Sequence, residues 1–282
     1  MIKIKVKDFS LEKTMNSGSP ITFMFTKIGE DYYFPYCDAI IKIKQIGEEH
    51  GYSELIADYF PKISSSNEIE KIIYHVFDLS FDYGGFIKFA EKDKNIKLAI
   101  EKTYGIRVTQ TPPWETLLCM VVSQQNRISK IRNTIQKFMV SFGKKIVWDE
   151  NEFHTFPNYD VLYNTIESWK DGFALGYRSD YIKDIVGQLH YKKFNLDELH
   201  SLNYGRAKDK LMSLYGVGDK ISDAVLVFGY GERTGFIIDT RIKKIMKKYY
   251  FKRDATIKEI HEFANRWGDY SSYVNQSFYS FS

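Results

Sequence analysis

At 282 residues, with 44% hydrophobic and 16% aromatic side chains, the chain can build a sizeable core in one large domain or two modest ones, which excludes a disordered class. The formal charge of +4 is a weak basic bias that permits a polyanionic partner without requiring one. Two cysteines, Cys37 and Cys119, cannot make a four-cysteine zinc or iron–sulfur site and suit a reduced intracellular compartment, and the absence of an apolar N-terminal stretch or an 18-residue apolar run argues against a signal peptide or membrane span.

Ile2 to Val6 alternates like a strand, and so does Ile21 to Ile28, after a turn signal at residues 16–20. Tyr32 to Ile46 is expected to supply a third strand and a fourth. A helical pattern is expected from near Tyr52, a Ser-rich loop from Pro61 to Asn67, and a helix from Ile69 to Leu79. From Thr111-Pro112-Pro113 onward the pattern is helix after helix, with Pro113 suited to a first helical turn. An apolar stripe (Leu117, Leu118, Val121, Val122) breaks at the polar run Ser123 to Arg127, then resumes with Ile128, Ile131, Ile135, Phe138 and Phe142. The expected fold is α+β: an N-terminal domain (1–110) with an antiparallel sheet and helices, then an all-helical domain (111–282). The histidines (His50, His75, His154, His190, His200, His261) show no metal-ligand spacing and are assigned to surface or core packing.

The most informative stretch runs from Leu214 to Val225. A helical segment, Arg206 to Tyr215, enters Gly216-Val217-Gly218, and a second apolar helix follows. The glycines permit a tight turn, and the turn aims free N–H groups and a helix N-terminus at one spot suited to a phosphate oxygen. Such a hairpin grips a nucleic-acid backbone without reading sequence. Ten Lys or Arg against five Asp or Glu between Gly205 and Tyr250, a net of +5, concentrate the positive charge there. A short loop between packed helices and a solvated face of lysines are the plainer readings of the same features.

Gly216-Val217-Gly218-Asp219-Lys220, followed by Ile237-Ile238-Asp239-Thr240-Arg241, resembles the core of the helix-hairpin-helix DNA glycosylase superfamily, including the lysine of its bifunctional members and the lysine-to-aspartate spacing. Leu175-Gly176-Tyr177-Arg178 resembles its damage-probing loop. Gly105 to Val108 with Pro113-Trp114-Glu115 resembles the start of its helical body, Trp267 to Tyr270 its last helix, and Ser17-Gly18 before an alternating strand its N-terminal domain. Together they are most similar to the 8-oxoguanine DNA glycosylase/AP lyase family, over nearly the whole chain.

That resemblance implies a base-excision-repair enzyme that removes oxidised purine from duplex DNA through a lysine Schiff base. Lys220 would be the nucleophile and Asp239 the carboxylate that stabilises the sugar cation, besides its plainer role as a helix N-cap. Tyr177 would be the wedge and Arg178 the donor to the estranged cytosine, with Gln125, Asn126 and Lys130 near that base. Gly216, Gly218 and Arg241 would contact DNA phosphate. Tyr279 would stack on the flipped purine, Asn275 would pair with its edge, Ala224 would line its pocket, and the Gly18 carbonyl would accept the N7 hydrogen that undamaged guanine lacks. The sequence departs from the family at Asp171 and Lys130, where arginines are usual, at Asn275 in place of glutamine, and at Ala224 in place of cysteine. No organic cofactor is implied, and no metal beyond a monovalent cation on the Met212, Leu214 and Val217 carbonyls. A monomer that binds duplex DNA and no membrane is expected, in the cytoplasm with the nucleoid or in a nucleus. The alternatives are a monofunctional alkylpurine glycosylase, in which Asp239 activates water, and a non-catalytic hairpin DNA-binding protein.

Overall fold

The alternation of Ile2, Ile4 and Val6 becomes strand β1 (Ile2–Lys7), which buries Ile4 and Val6. Strands β2 (Thr26–Ile28), β3 (Asp31–Tyr36), β4 (Ala39–Glu49) and β5 (Tyr52–Phe60) complete an antiparallel sheet in the order β1-β5-β4-β3-β2. The computed structural model describes residues 1–49, 51–61 and 66–281. His50 and residues 62–65 of the expected loop therefore lie outside the described residues, as does Ser282; Ser66 and Asn67 already belong to the next helix, Ser66–Val76.

Two expectations for this half need correction. The segment from Tyr52 is a strand, not a helix. Leu55, Ala57 and Tyr59 are buried in alternation, a period of two that the helix-forming Glu54, Leu55 and Ala57 disguise. Of the expected strand Ile21 to Ile28, only the last three residues pair as a strand. Ile21–Met24 is a helical turn with all four side chains buried, which no one-sided strand could achieve.

The C-terminal half is mainly helical. Helix Pro113–Ser123 starts at Pro113 as expected, is buried from Glu115 through Val122, and packs on helix Asp219–Tyr230. This half is not all-helical, however. Lys145–Trp148 and Asn151–His154 form a hairpin across Asp149 and Glu150, both at positive φ (48° and 62°), the conformation of the favoured two-residue turn. Phe153 from this hairpin stacks on Tyr33 of β3 at 4.6 Å, and Lys42 of β4 pairs with Asp149 at 3.1 Å. The last helix, Ser271–Phe281, packs on helix Lys94–Thr103, so both ends of the chain contribute to one continuous apolar core. Among the described residues no helix is long and apolar enough to cross a membrane.

Candidate active site

The hairpin begins with helix Tyr204–Met212, capped by Asn203, whose side chain accepts from Arg206 N–H at 3.0 Å. The chain turns back through residues 213–218 into helix Asp219–Tyr230. Gly216 lies at φ +83°, and a Cβ there would collide with the Tyr181 ring. Gly218 differs: its φ of −108° is open to any residue, and a Cβ would meet nothing within 4 Å. Its bare backbone leaves room for a group arriving from outside.

Lys220 occupies the first turn of the second hairpin helix. Burial pushes its amine below the ordinary lysine range, and the charge of Asp239 partly opposes that shift. Asp239 is the N-cap of helix Thr240–Met246; its carboxylate accepts from Ile242 N–H at 2.8 Å, so the expected capping role is present. Both residues line one cleft of about 150 Å³ together with Gly18, Asn126, Ala224, Asn275 and Tyr279. Residues named from five separate stretches of sequence thus meet in one place. A wider groove of about 700 Å³ adjoins it, sharing Ser123, Asn126, Lys220 and Asp239 and adding Gln125, Gly216, Gly218 and Lys243.

The Ser17–Gly18 peptide is held at both its polar atoms. Gln276 Nε2 donates to the Ser17 carbonyl at 2.9 Å, and the Gly18 N–H donates to Thr22 Oγ1 at 3.0 Å. Gly18 lies at φ +82°, and a Cβ there would come within 2.6 Å of Tyr279 Cε1. The Tyr279 ring therefore lies directly on Gly18. Asn275 is buried, and its Nδ2 donates to the Ile237 carbonyl at 2.9 Å.

Several expected DNA contacts are placed otherwise. Arg178 is buried: Nε donates to the Gln124 carbonyl at 2.8 Å, Nη2 to the same oxygen, and Nη1 to the Leu175 carbonyl at 3.0 Å. In this state it clasps main chain and is not presented to a base. Arg241 lies over the Tyr279 ring, 4.6 Å from its centroid, and its Nη1 donates to the Tyr279 carbonyl at 2.8 Å. It braces the candidate stacking ring. Tyr177 is 41% exposed, which fits a wedge and not core packing. Lys130 is exposed on helix Ile128–Phe142, and Asp171 is exposed before the Tyr177 loop. Gln125 is exposed at φ +48°, an uncommon conformation for a non-glycine residue.

Sequence reading missed Phe23, Met120, Phe228 and Gln276 on the cleft wall. Phe228 was within reach, because Lys220, Ala224 and Phe228 recur every four residues on one helix face. It also missed the fully buried Asp223, one turn beyond Lys220. Its carboxylate takes Tyr204 OH at 2.6 Å, Lys208 Nζ at 2.8 Å and His261 Nε2 at 3.3 Å, fastening the two hairpin helices together.

Comparisons with known proteins bear on the sequence and the fold. Residues 1–117 match the family model described as 8-oxoguanine DNA glycosylase, N-terminal domain. The chain is 25% identical over 295 residues to a probable N-glycosylase/DNA lyase of Methanothermobacter thermautotrophicus, covering 97% of this chain and 93% of that protein. It is 28% identical over 211 residues to a DNA-3-methyladenine glycosylase of Bacillus subtilis, covering 73% of this chain and 70% of that one. A solved structure described as MBOgg1 in complex with low affinity DNA ligand superposes with a TM-score of 0.88 at 29% identity, covering 99% of this chain and 94% of that one. The chain is thus similar along nearly its whole length to proteins described as N-glycosylase/DNA lyase and Ogg1, and its first 117 residues match the N-terminal domain of 8-oxoguanine DNA glycosylases.

Proposed function

We propose that the protein is a bifunctional DNA glycosylase/AP lyase that excises 8-oxoguanine from duplex DNA, with Lys220 as nucleophile and Asp239 as its partner. The observation that carries this reading is the cleft itself, where a lysine held below its ordinary range, a rigidly capped aspartate and a ring laid on Gly18 converge. The neutral Lys220 Nζ forms a bond to C1′ as the C1′–N9 bond breaks, and the departing base takes up a proton. Asp239 offsets the positive charge that builds on the sugar. Opening of the C1′–O4′ bond gives the Schiff base, loss of a C2′ proton expels the 3′ phosphate, and water then frees Lys220.

The flipped purine stacks on Tyr279, with Asn275 at its edge and Ala224 along the pocket wall. The Gly18 carbonyl accepts the N7 hydrogen, and the doubly tethered Ser17–Gly18 peptide holds the chain on the N-terminal side of Gly18 in place. On the DNA side, Tyr177 fills the vacated stack, Gln125, Asn126 and Lys130 face the orphaned partner, and Gly216 and Gly218 present the hairpin to phosphate. Residues 1–110 contribute Gly18 to recognition of the base, and residues 111–282 carry the chemistry, the grip and the rest of the base pocket. The carbonyls of Met212, Leu214 and Val217, of which that of Leu214 already accepts from Val217 N–H at 3.1 Å, are the oxygens that would hold a monovalent cation. The protein acts as a monomer wherever the cell keeps its DNA.

The test is borohydride trapping on a duplex carrying 8-oxoguanine opposite cytosine. A covalent adduct with wild type, absent in Lys220→Ala, is the expected result. An adduct only on abasic duplex would keep the lyase and overturn the lesion. No adduct on either would favour a monofunctional enzyme, a reading that the likeness to the Bacillus subtilis 3-methyladenine glycosylase supports and in which Asp239 activates water.

A further inference from the structure

Tyr181, which neither the catalytic nor the base-binding assignment uses, lies between the wedge loop and the hairpin turn. Its ring meets Tyr177 edge-on at 5.4 Å and Tyr215 edge-on at 4.8 Å. The backbone of Gly216 lies against its face, so closely that a Cβ on Gly216 would strike the ring carbons. A second link runs parallel to it. Gln124 Nε2 donates to the Gly216 carbonyl at 3.0 Å, while the Gln124 carbonyl is clasped by Arg178, the residue after Tyr177. Wedge, hairpin and the polar run between helices are therefore tied through one ring and one amide.

From this arrangement we infer that Tyr181 is a positioning residue. It fixes the reach of Tyr177 relative to the hairpin, so that gripping the backbone and inserting the wedge are one motion. The inference rests on the reading of Tyr177 as the wedge. A ring suits the role because edge-to-face contacts fix orientation, whereas an aliphatic side chain fills space and leaves the neighbouring rings free to turn. Tyr215, 59% exposed, is the outer buttress of the same stack.

The experiment uses the whole protein and an 8-oxoguanine duplex with 2-aminopurine beside the lesion, whose emission rises when its neighbour unstacks. Tyr181→Phe should match wild type, because the ring is retained. Tyr181→Leu should lose most of the emission rise and about tenfold in excision rate, with affinity for undamaged duplex within about twofold. Adding Tyr181→Leu to Tyr177→Ala should cost nothing more, since both act through one insertion step. A full additional loss in the double variant, or wild-type emission from Tyr181→Leu beside a silent Tyr177→Ala, would overturn the inference and leave the wedge reading standing. Wild-type emission from Tyr177→Ala would instead remove the wedge reading. If Tyr181→Leu does not fold, Tyr215→Ala reads the same coupling from an exposed position. A loss of about threefold in emission amplitude supports it, and an unchanged amplitude overturns it.

Discussion

The two walls of the cleft are built in different ways. The chemical wall comes from one compact stretch: Lys220 and Asp239 lie on consecutive helices, each placed by a helix start. The recognition wall is gathered from the whole chain, with Gly18 and Phe23 near the beginning, Met120 in the middle, and Asn275, Gln276 and Tyr279 at the end. On the proposed function, local geometry suffices to aim an amine and a carboxylate at one carbon. Reading a flat base needs surfaces on several sides, and these must come from distant segments. Substitutions on the chemical wall should therefore abolish the reaction on any substrate, whereas those on the recognition wall should affect excision of the base and spare an abasic site.

Lys220→Ala gives the largest effect. Excision and lyase turnover should fall by roughly four orders of magnitude or more, because Lys220 supplies the amine that lines the cleft. Single-turnover cleavage of lesion and abasic duplexes checks this, and residual strand scission on abasic DNA would show that a different amine attacks.

Asp239→Asn comes next, at about 10²–10³-fold in excision. Asparagine caps a helix about as well as aspartate, so the melting temperature should barely move, and the loss is then one of charge. The pH profile sharpens the point. Only neutral Lys220 attacks, so the rate climbs with pH until the amine's lowered pKa is passed. Asp239 raises that pKa, so its removal should shift the rising limb to lower pH even as the plateau falls. A limb that stays in place would separate Asp239 from Lys220.

Gly18→Ala tests the opposite wall. The φ of +82° strains any side chain, and the new Cβ would press on Tyr279 Cε1 from 2.6 Å. Displacing that ring by part of an ångström should cost between ten- and a hundredfold, roughly, in 8-oxoguanine excision. Trapping on an abasic duplex should remain within about threefold, since no base needs to be seated there. Equal losses on both substrates would mean that the two walls are not separable.

The same contrast explains what could be read from sequence. On the chemical wall the turn and the cap carry local physical signatures, whereas Lys220 was singled out by the resemblance of the whole hairpin stretch to the glycosylase motif. Asn275 and Tyr279 were named through the resemblance of the last helix to the family's, and the structure places both on the cleft wall. Gln276, whose amide holds the Ser17 carbonyl, was not, because nothing local distinguishes a side chain that reaches residues 259 positions away. The same holds for the fold. Pro113 announced its helix, but the strand from Tyr52 hid behind helix-forming residues, and the hairpin at 145–154 pairs in a half that otherwise reads as helical. Arg178 shows the limit most clearly. It was named from the resemblance of its loop to a damage-probing loop, yet its burial against Gln124 depends on a neighbour 54 residues away.

The smallest expected effect belongs to Arg241, and it decides between two roles. As a phosphate contact, its removal would lower the dependence of DNA affinity on salt, reducing the slope of log K against log salt by about one. As the brace of Tyr279, its removal would leave that slope alone and loosen the ring. The observed contacts, 2.8 Å to the Tyr279 carbonyl and 4.6 Å to the ring centroid, favour the brace. Losing one hydrogen bond and one exposed cation–π contact is worth about 1 kcal/mol, so Arg241→Met should raise KM for the lesion duplex about fivefold. Arg241→Lys keeps the charge but not the planar fork, so it should recover only part of that loss. Titrations of both variants on lesion and undamaged duplex across a salt series measure the two roles together. A reduced slope with unchanged lesion preference would assign Arg241 to the DNA backbone and take from it the role of brace.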